Sequence, residues 1–123
     1  MNTHNKTINE RAMDFAVKSV KLAKFLRDQF NEFSLADQVL RSGTSIGANY
    51  EEACGAISKA DYIAKLNISL KEARESRFWI VLLHNCKLID DKAFQSLYQD
   101  VDSLALILGK SIRTTQKNNQ NVK

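Results

Sequence analysis

Apolar residues recur at steps of three and four through most of the chain, in four stretches separated by short polar breaks. That rhythm fits one face of an α-helix and not the strict alternation of a half-buried strand. The first stretch, about residues 8–30, puts Ile8, Ala12, Ala16, Ala23, Leu26 and Phe30 on one stripe, with Phe15 and Val20 at its edges. Arg11, Asp14, Lys18 and Lys21 fall opposite. The second, about 35–55, aligns Leu35, Val39, Gly43, Ile46, Tyr50 and Ala53, and the stripe continues to Ile57. The third, about 59–88, aligns Tyr62, Ile63, Leu66, Leu70, Ala73, Ile80 and Leu83. The fourth, about 91–116, aligns Phe94, Leu97, Val101, Leu104, Leu108, Ile112 and Thr115 with the cleanest heptad spacing of the four. Gly43 and Gly47 would weaken a helix, yet their spacing puts both small residues near one side, where another backbone can approach.

The breaks carry start signals. Thr7 with Glu10, Ser34 with Asp37 and Ser58 with Asp61 each fit the pattern in which a hydroxyl and an acid three residues later cap a helix. Asp90 and Asp91 open the fourth stretch, while Lys110, Arg113 and Lys117 lie near its expected end, the charge order favoured by a helix dipole. The tail 117–123, rich in Asn, Gln and Lys, is expected to fray. Short links make successive helices antiparallel, so the expected fold is all-α: one domain over 1–123, an up-down-up-down four-helix bundle.

Composition agrees and removes options. There are four glycines and no proline, which starves the chain of hairpin-forming residues. No apolar run approaches the roughly 18 residues of a membrane span, and no export signal is visible, so a cytoplasmic protein without membrane contact is expected. Cys54 and Cys86 fall inside periodic segments and form no metal or redox motif, so two buried thiols are expected. His4 and His84 have no partner at ligand spacing, which argues against a metal or other cofactor. No nucleophile elbow and no glycine-rich phosphate loop is present, so no catalytic residue is assigned. The net charge of +4 is mild and no single segment is a basic arm.

The run Ala36 to Ala53 contains Ser45-Ile46-Gly47-Ala48-Asn49-Tyr50-Glu51-Glu52, and helix 3 contains Ser69-Leu70-Lys71-Glu72. These segments resemble the signature of the four-helix-bundle proteins of 23S rRNA intervening sequences, with Gly47 standing where many members carry proline. The resemblance covers about residues 8–115 and implies a left-handed four-helix bundle assembled into a ring, commonly a homopentamer, with a basic surface and no known enzymatic activity. It also implies similarity to the accessory protein of diversity-generating retroelements, a bundle that engages a reverse transcriptase and nucleic acid. For most members of the family the molecular role is unknown.

Three groups of residues are candidates for function. Ser45, Asn49 and Glu52 share one flank of helix 2, and Arg77 sits on the apolar side of helix 3, where an unpaired guanidinium would be costly. A Glu52–Arg77 salt link within a structural polar seam is the expectation. Phe25, Ile68, Phe78, Trp79 and Leu82 lie off the main stripes, more apolar surface than one subunit can bury, and are expected at an oligomer interface. Lys18, Lys21 and Lys24 on helix 1, with Lys65, Lys71 and Arg74 on helix 3, are the candidates for nucleic-acid phosphate. Five copies would carry +20, a field that a +4 subunit lacks. The residues thus leave open an oligomeric adaptor for RNA or a nucleic-acid-bound protein, a protein-interaction scaffold, and an enzyme built around Glu52 and Arg77.

Overall fold

The computed structural model describes residues 6–121, and side chains through residue 118. His4 and the last two residues of the tail lie outside the described residues. Four helices follow one another: α1, Ile8–Phe30; α2, Phe33–Cys54; α3, Lys59–Asn85; and α4, Asp91–Asn121. Successive helices pack side by side and α4 returns to α1, so α1 and α3 are diagonal, as are α2 and α4. This is the expected up-down-up-down bundle. No described helix is long and apolar enough to cross a membrane.

The core runs along the bundle axis through Phe15 and Leu26 of α1, Ile46 of α2, Leu66, Ile80 and Leu83 of α3, and Val101, Leu104 and Leu108 of α4, all essentially without solvent contact. Truncating any of the leucines or isoleucines to alanine at such a site costs about 2–5 kcal/mol. The expected stripes hold along their centre lines and fail at one edge position and at two ends. Val20 and Phe30 are exposed, as is Ile57, which lies in the α2–α3 turn beyond the last turn of α2. Both thiols are exposed rather than buried: Cys54 closes α2, and Cys86 caps the end of α3.

Two of the three expected start signals form. The Thr7 hydroxyl accepts from the Glu10 N–H while the Glu10 carboxylate accepts from the Thr7 N–H, a full capping box. Ser58 accepts from the Asp61 N–H at 3.0 Å. Ser34 caps nothing, because α2 starts one residue earlier at Phe33. There the chain closes α1 through Asn31 in the left-handed region, with the Asn31 and Glu32 N–H groups bonded to the carbonyls of Arg27 and Leu26. Asp37 instead pairs with Arg27 at 2.6 Å and ties the two helices across the turn.

The α3–α4 joint departs from expectation for a similar reason. Helix α3 stops at Asn85, since Lys87 takes φ 62° and the Leu88 N–H reaches back to the Leu83 carbonyl at 2.9 Å. A left-handed lysine leaves no glycine or proline to mark the stop. The link then buries Ile89 and starts α4 with the Asp90 carboxylate accepting from the Ala93 N–H. Helix α4 continues to Asn121, through the first five residues of the expected frayed tail.

Candidate functional site

Glycine and serine set how closely the helices pack. A β-carbon placed on Gly43 would lie 2.5 Å from the Ser19 β-carbon, and one on Gly47 would lie 3.4 Å from that of Ala12. The two glycines therefore let α1 approach α2, as their spacing predicts. Between α2 and α3 the contact is made by buried serines: Ser76 donates to the Ser42 hydroxyl at 3.0 Å, Ser42 donates to the Gln38 carbonyl, and Ser69 donates to the Ile46 carbonyl at 2.7 Å. Ser19 donates to the Phe15 carbonyl. No described buried side-chain polar atom is left without a partner. These serines escape a hydropathy reading because they count as polar, although Ser42, Ser69 and Ser76 each sit in phase with the apolar stripe of its helix.

These pairs fix the register of the antiparallel α2–α3 hairpin, placing Ser42 level with Ser76 and Ile46 level with Ser69. Glu52 must then lie level with the first turns of α3, and its carboxylate meets Lys65 at 3.1 Å. Arg77 is twelve residues further along, about 18 Å at the rise of a helix. The expected Glu52–Arg77 link is therefore replaced. Arg77 turns to the other side of α3 and pairs with Asp102 of α4 at 2.7 Å, with both side chains about one-third exposed. Ser45 and Asn49 do share the flank of α2 with Glu52, but each bonds to its own helix, Ser45 to the Arg41 carbonyl and Asn49 to the Ser45 carbonyl. The seam is thus a surface feature, and Arg41 extends it by bridging to Glu72 and Glu75 of α3.

The six cations expected to meet phosphate divide into two sets. Lys18 donates to Asp100 at 2.5 Å and to Ser96 at 3.0 Å, so it joins α1 to α4. Lys24 lies 3.6 Å from Asp28, and Lys65 holds Glu52. Lys21, Lys71 and Arg74 make no ion pair among the described residues. Lys71 and Arg74 lie on the outer side of α3, which also carries Ile68 and Phe78, so the expected phosphate face and the expected interface overlap there.

Among the interface candidates, Ile68 and Phe78 are exposed, whereas Leu82 is half-buried and Trp79 packs on the core while donating to Glu75 at 3.0 Å. Phe25 lies on the other side of the bundle, edge-on to Phe30, and walls an open groove of about 1040 Å³ with Leu22, Lys21, Lys87, Ile89 and Leu97. The groove includes neither Glu52 nor Arg77. A second apolar face emerges on α1, where Met13, Val17 and Val20 follow one another at helical spacing, each about half exposed or more. It falls outside the core stripe, and its steps of four and three are the only sign of it in the sequence.

Burial, followed by the neighbouring Cys54, pushes the Tyr50 phenol up to about 12. His84 lies 2.7 Å from Asp91 and stacks on Phe94, a carboxylate contact that its distance along the chain hides. No group of His, Cys, Asp and Glu that could hold a metal occurs among the described residues.

Comparison with known proteins follows the same lines. A crystal structure of a protein of unknown function from the S23 ribosomal protein family of Bacteroides thetaiotaomicron is 42% identical, superposes with a TM-score of 0.85, and matches 86% of this chain and 98% of its own. No curated protein matches significantly. The family model described as 23S rRNA-intervening sequence protein matches residues 4–110. With a bundle of the same shape and a family match over most of its length, this chain belongs to the 23S rRNA-intervening sequence protein family.

Proposed function

We propose that this chain is a non-enzymatic subunit of a ring-shaped homo-oligomer, a pentamer, which acts as an adaptor by binding RNA or a ribonucleoprotein through its assembled basic surface. The observation that carries the reading is the pair of unpartnered apolar faces, Met13, Val17 and Val20 on α1 and Ile68 and Phe78 on α3. Because α1 and α3 are diagonal, the two faces look outward in opposite directions. A two-fold dimer needs only one self-complementary patch, whereas head-to-tail contact joins two different patches and closes into a ring when the rotation permits. The outward Ile68 and Phe78 of α3 support this, since a helix that buries one stripe inside its own bundle has no need of a second apolar patch.

Phosphate recognition rests on multiplication of charge. Five subunits bring +20 into one particle, enough to concentrate a polyanion that one subunit would hold weakly. The engagement of Lys18, Lys24 and Lys65 in internal ion pairs favours the second reading, a ring that presents its faces to a protein partner. One experiment separates them: nuclease-treated protein is sized by mass-resolved chromatography and titrated with labelled RNA and duplex DNA at two salt concentrations. A ring-sized species whose binding weakens steeply with salt supports the adaptor. An intact ring with no binding at low salt supports the scaffold, and a monomer overturns both.

A further inference from the structure

Helix α4 carries three cations that have no task inside the subunit. Lys110, Arg113 and Lys117 are exposed, follow one another at steps of three and four, and make no ion pair among the described residues. A position near a helix end would account for them through the helix dipole, but that effect fades within the last turn. With α4 continuing to Asn121, its last turn holds no basic residue and Lys110 and Arg113 lie two to three turns upstream. Nor does α4 itself carry acids to blunt them. The last acidic residue of the chain is Asp102, and it is already engaged by Arg77.

The described part of the bundle also leaves this segment open. Lys18 of α1 is level with Ser96 and Asp100 of α4, so the N-terminus of α1, at Ile8, lies beside about residue 108 of α4. Beyond that point α4 leans, among the described residues, on the α2–α3 turn and the start of α3, where Thr115 and Asn118 face Ser58 and Tyr62. Gly109 leaves room for the Arg113 guanidinium, which lies 3.4 Å from where a β-carbon would stand. The acids of α2 at this end of the bundle, Glu51 and Glu52, belong to the diagonal helix.

We infer that the last third of α4, with Lys110, Arg113 and Lys117, is the surface that takes the phosphodiester backbone of a nucleic acid. This rests on the adaptor reading and replaces Lys18, Lys24 and Lys65 as its contact residues. Three cations spread over two turns of a straight helix match a repeating charge, and no exposed aromatic residue interleaves with them to stack on bases. Contacts of this kind position a phosphate chain without reading its sequence.

The test compares two charge-matched variants of the full chain, Lys110→Gln/Arg113→Gln and Lys87→Gln/Lys92→Gln. The second pair is exposed at the opposite end of the bundle, so both variants lose the same net charge. Binding of a labelled oligouridylate and of duplex DNA is measured across a salt series, with thermal unfolding and particle mass as controls. The α4 variant is expected to bind at least about tenfold more weakly and to lose nearly two from the duplex log–log salt slope, at about 0.9 per phosphate contact. The Lys87/Lys92 variant is expected to keep the wild-type slope. Equal losses in both variants would overturn the site while leaving the adaptor reading intact, because binding would then follow net charge alone. Wild-type protein that binds neither probe would overturn the adaptor reading itself. Equally tight binding of polyglutamate with the same slope would show that phosphate is not the ligand.

Discussion

Gly43 of α2 lies against Ser19 of α1, so closely that a β-carbon at position 43 would meet the Ser19 hydroxyl and stand 2.5 Å from its β-carbon. The hydroxyl can swing away about its own bond, but the Ser19 β-carbon is fixed to the α1 backbone and can move only with it. Gly43→Ala is therefore expected to push α1 and α2 apart and cost about 1–3 kcal/mol or more, as overpacking does. Gly47→Ala meets only ordinary contact with Ala12 at 3.4 Å, so the better helix propensity of alanine is expected to leave stability unchanged or raise it by up to about 1 kcal/mol. Urea denaturation of both variants checks the contrast. Adding Ser19→Gly to Gly43→Ala should recover part of the loss, giving a coupling that two independent sites would not show.

These two glycines also mark how far the sequence can be read. Their small size and spacing announce a close helix approach, and periodicity places the core at Ile46, Leu66 and Leu104. Register is another matter. Whether Arg77 meets Glu52 or Asp102 depends on the level at which α2 and α3 face each other, which is set by the Ser42–Ser76 and Ser69–Ile46 contacts. Serines that pack as small core residues carry no hydropathy signal. The end of α3 is hidden for a local reason, since a left-handed Lys87 does what glycine ordinarily announces. The basic face of α4 turns on helix length: an end near residue 116 lets the dipole account for Lys110, Arg113 and Lys117, whereas with the end at Asn121 the last turn holds no basic residue.

Arg77 and Asp102 are each about one-third exposed, so neither charge is stranded in the core when its partner is removed. Arg77→Ala is expected to cost about 1 kcal/mol or less, the range of solvent-screened pairs, and not the several kcal/mol of a broken buried link. Thermal unfolding at low and high salt measures it. A loss of several kcal/mol that persists at high salt would mean that the pair is buried in the assembled particle.

Lys87 holds a left-handed conformation that costs a residue with a side chain roughly 1 kcal/mol relative to glycine. Its side chain is exposed and makes no ion pair among the described residues. Lys87→Gly is therefore expected to stabilise the bundle by about 0.5–1 kcal/mol, through relief of the backbone at the end of α3 offset by the greater freedom of glycine when unfolded. Urea denaturation with an unchanged slope would support this. A destabilised variant would show that the lysine side chain holds the turn.

Tyr50 makes the stability of the fold depend on pH in the alkaline range. Burial first, and then Cys54, raises its phenol to about 12 from an unfolded value near 10, so the folded chain binds the proton more tightly than the unfolded one. Its contribution to stability is complete below about pH 10 and is lost as the pH rises through about 12. Ultraviolet titration against Tyr50→Phe should show one tyrosine ionising near that upper value. Cys54→Ala should move that midpoint down while leaving it above the ordinary range, because burial is the larger cause.

Head-to-tail assembly makes a demand that a symmetric dimer does not. Val17 belongs to the exposed face of α1 and Phe78 to that of α3. A lysine at either position places a charge in one half of every contact around the ring, so Val17→Lys and Phe78→Lys are each expected to run as monomers with unchanged helicity. Each variant still carries one intact face. Mixed together, they should form a heterodimer, the α3 face of the Val17→Lys chain against the α1 face of the Phe78→Lys chain, and growth should stop there because the outer faces are both charged. Mass-resolved chromatography of the separate and mixed samples reads this directly. Monomers that stay monomeric on mixing would show that the two faces do not meet, and a ring that persists in either variant would show that its contacts lie elsewhere on the bundle.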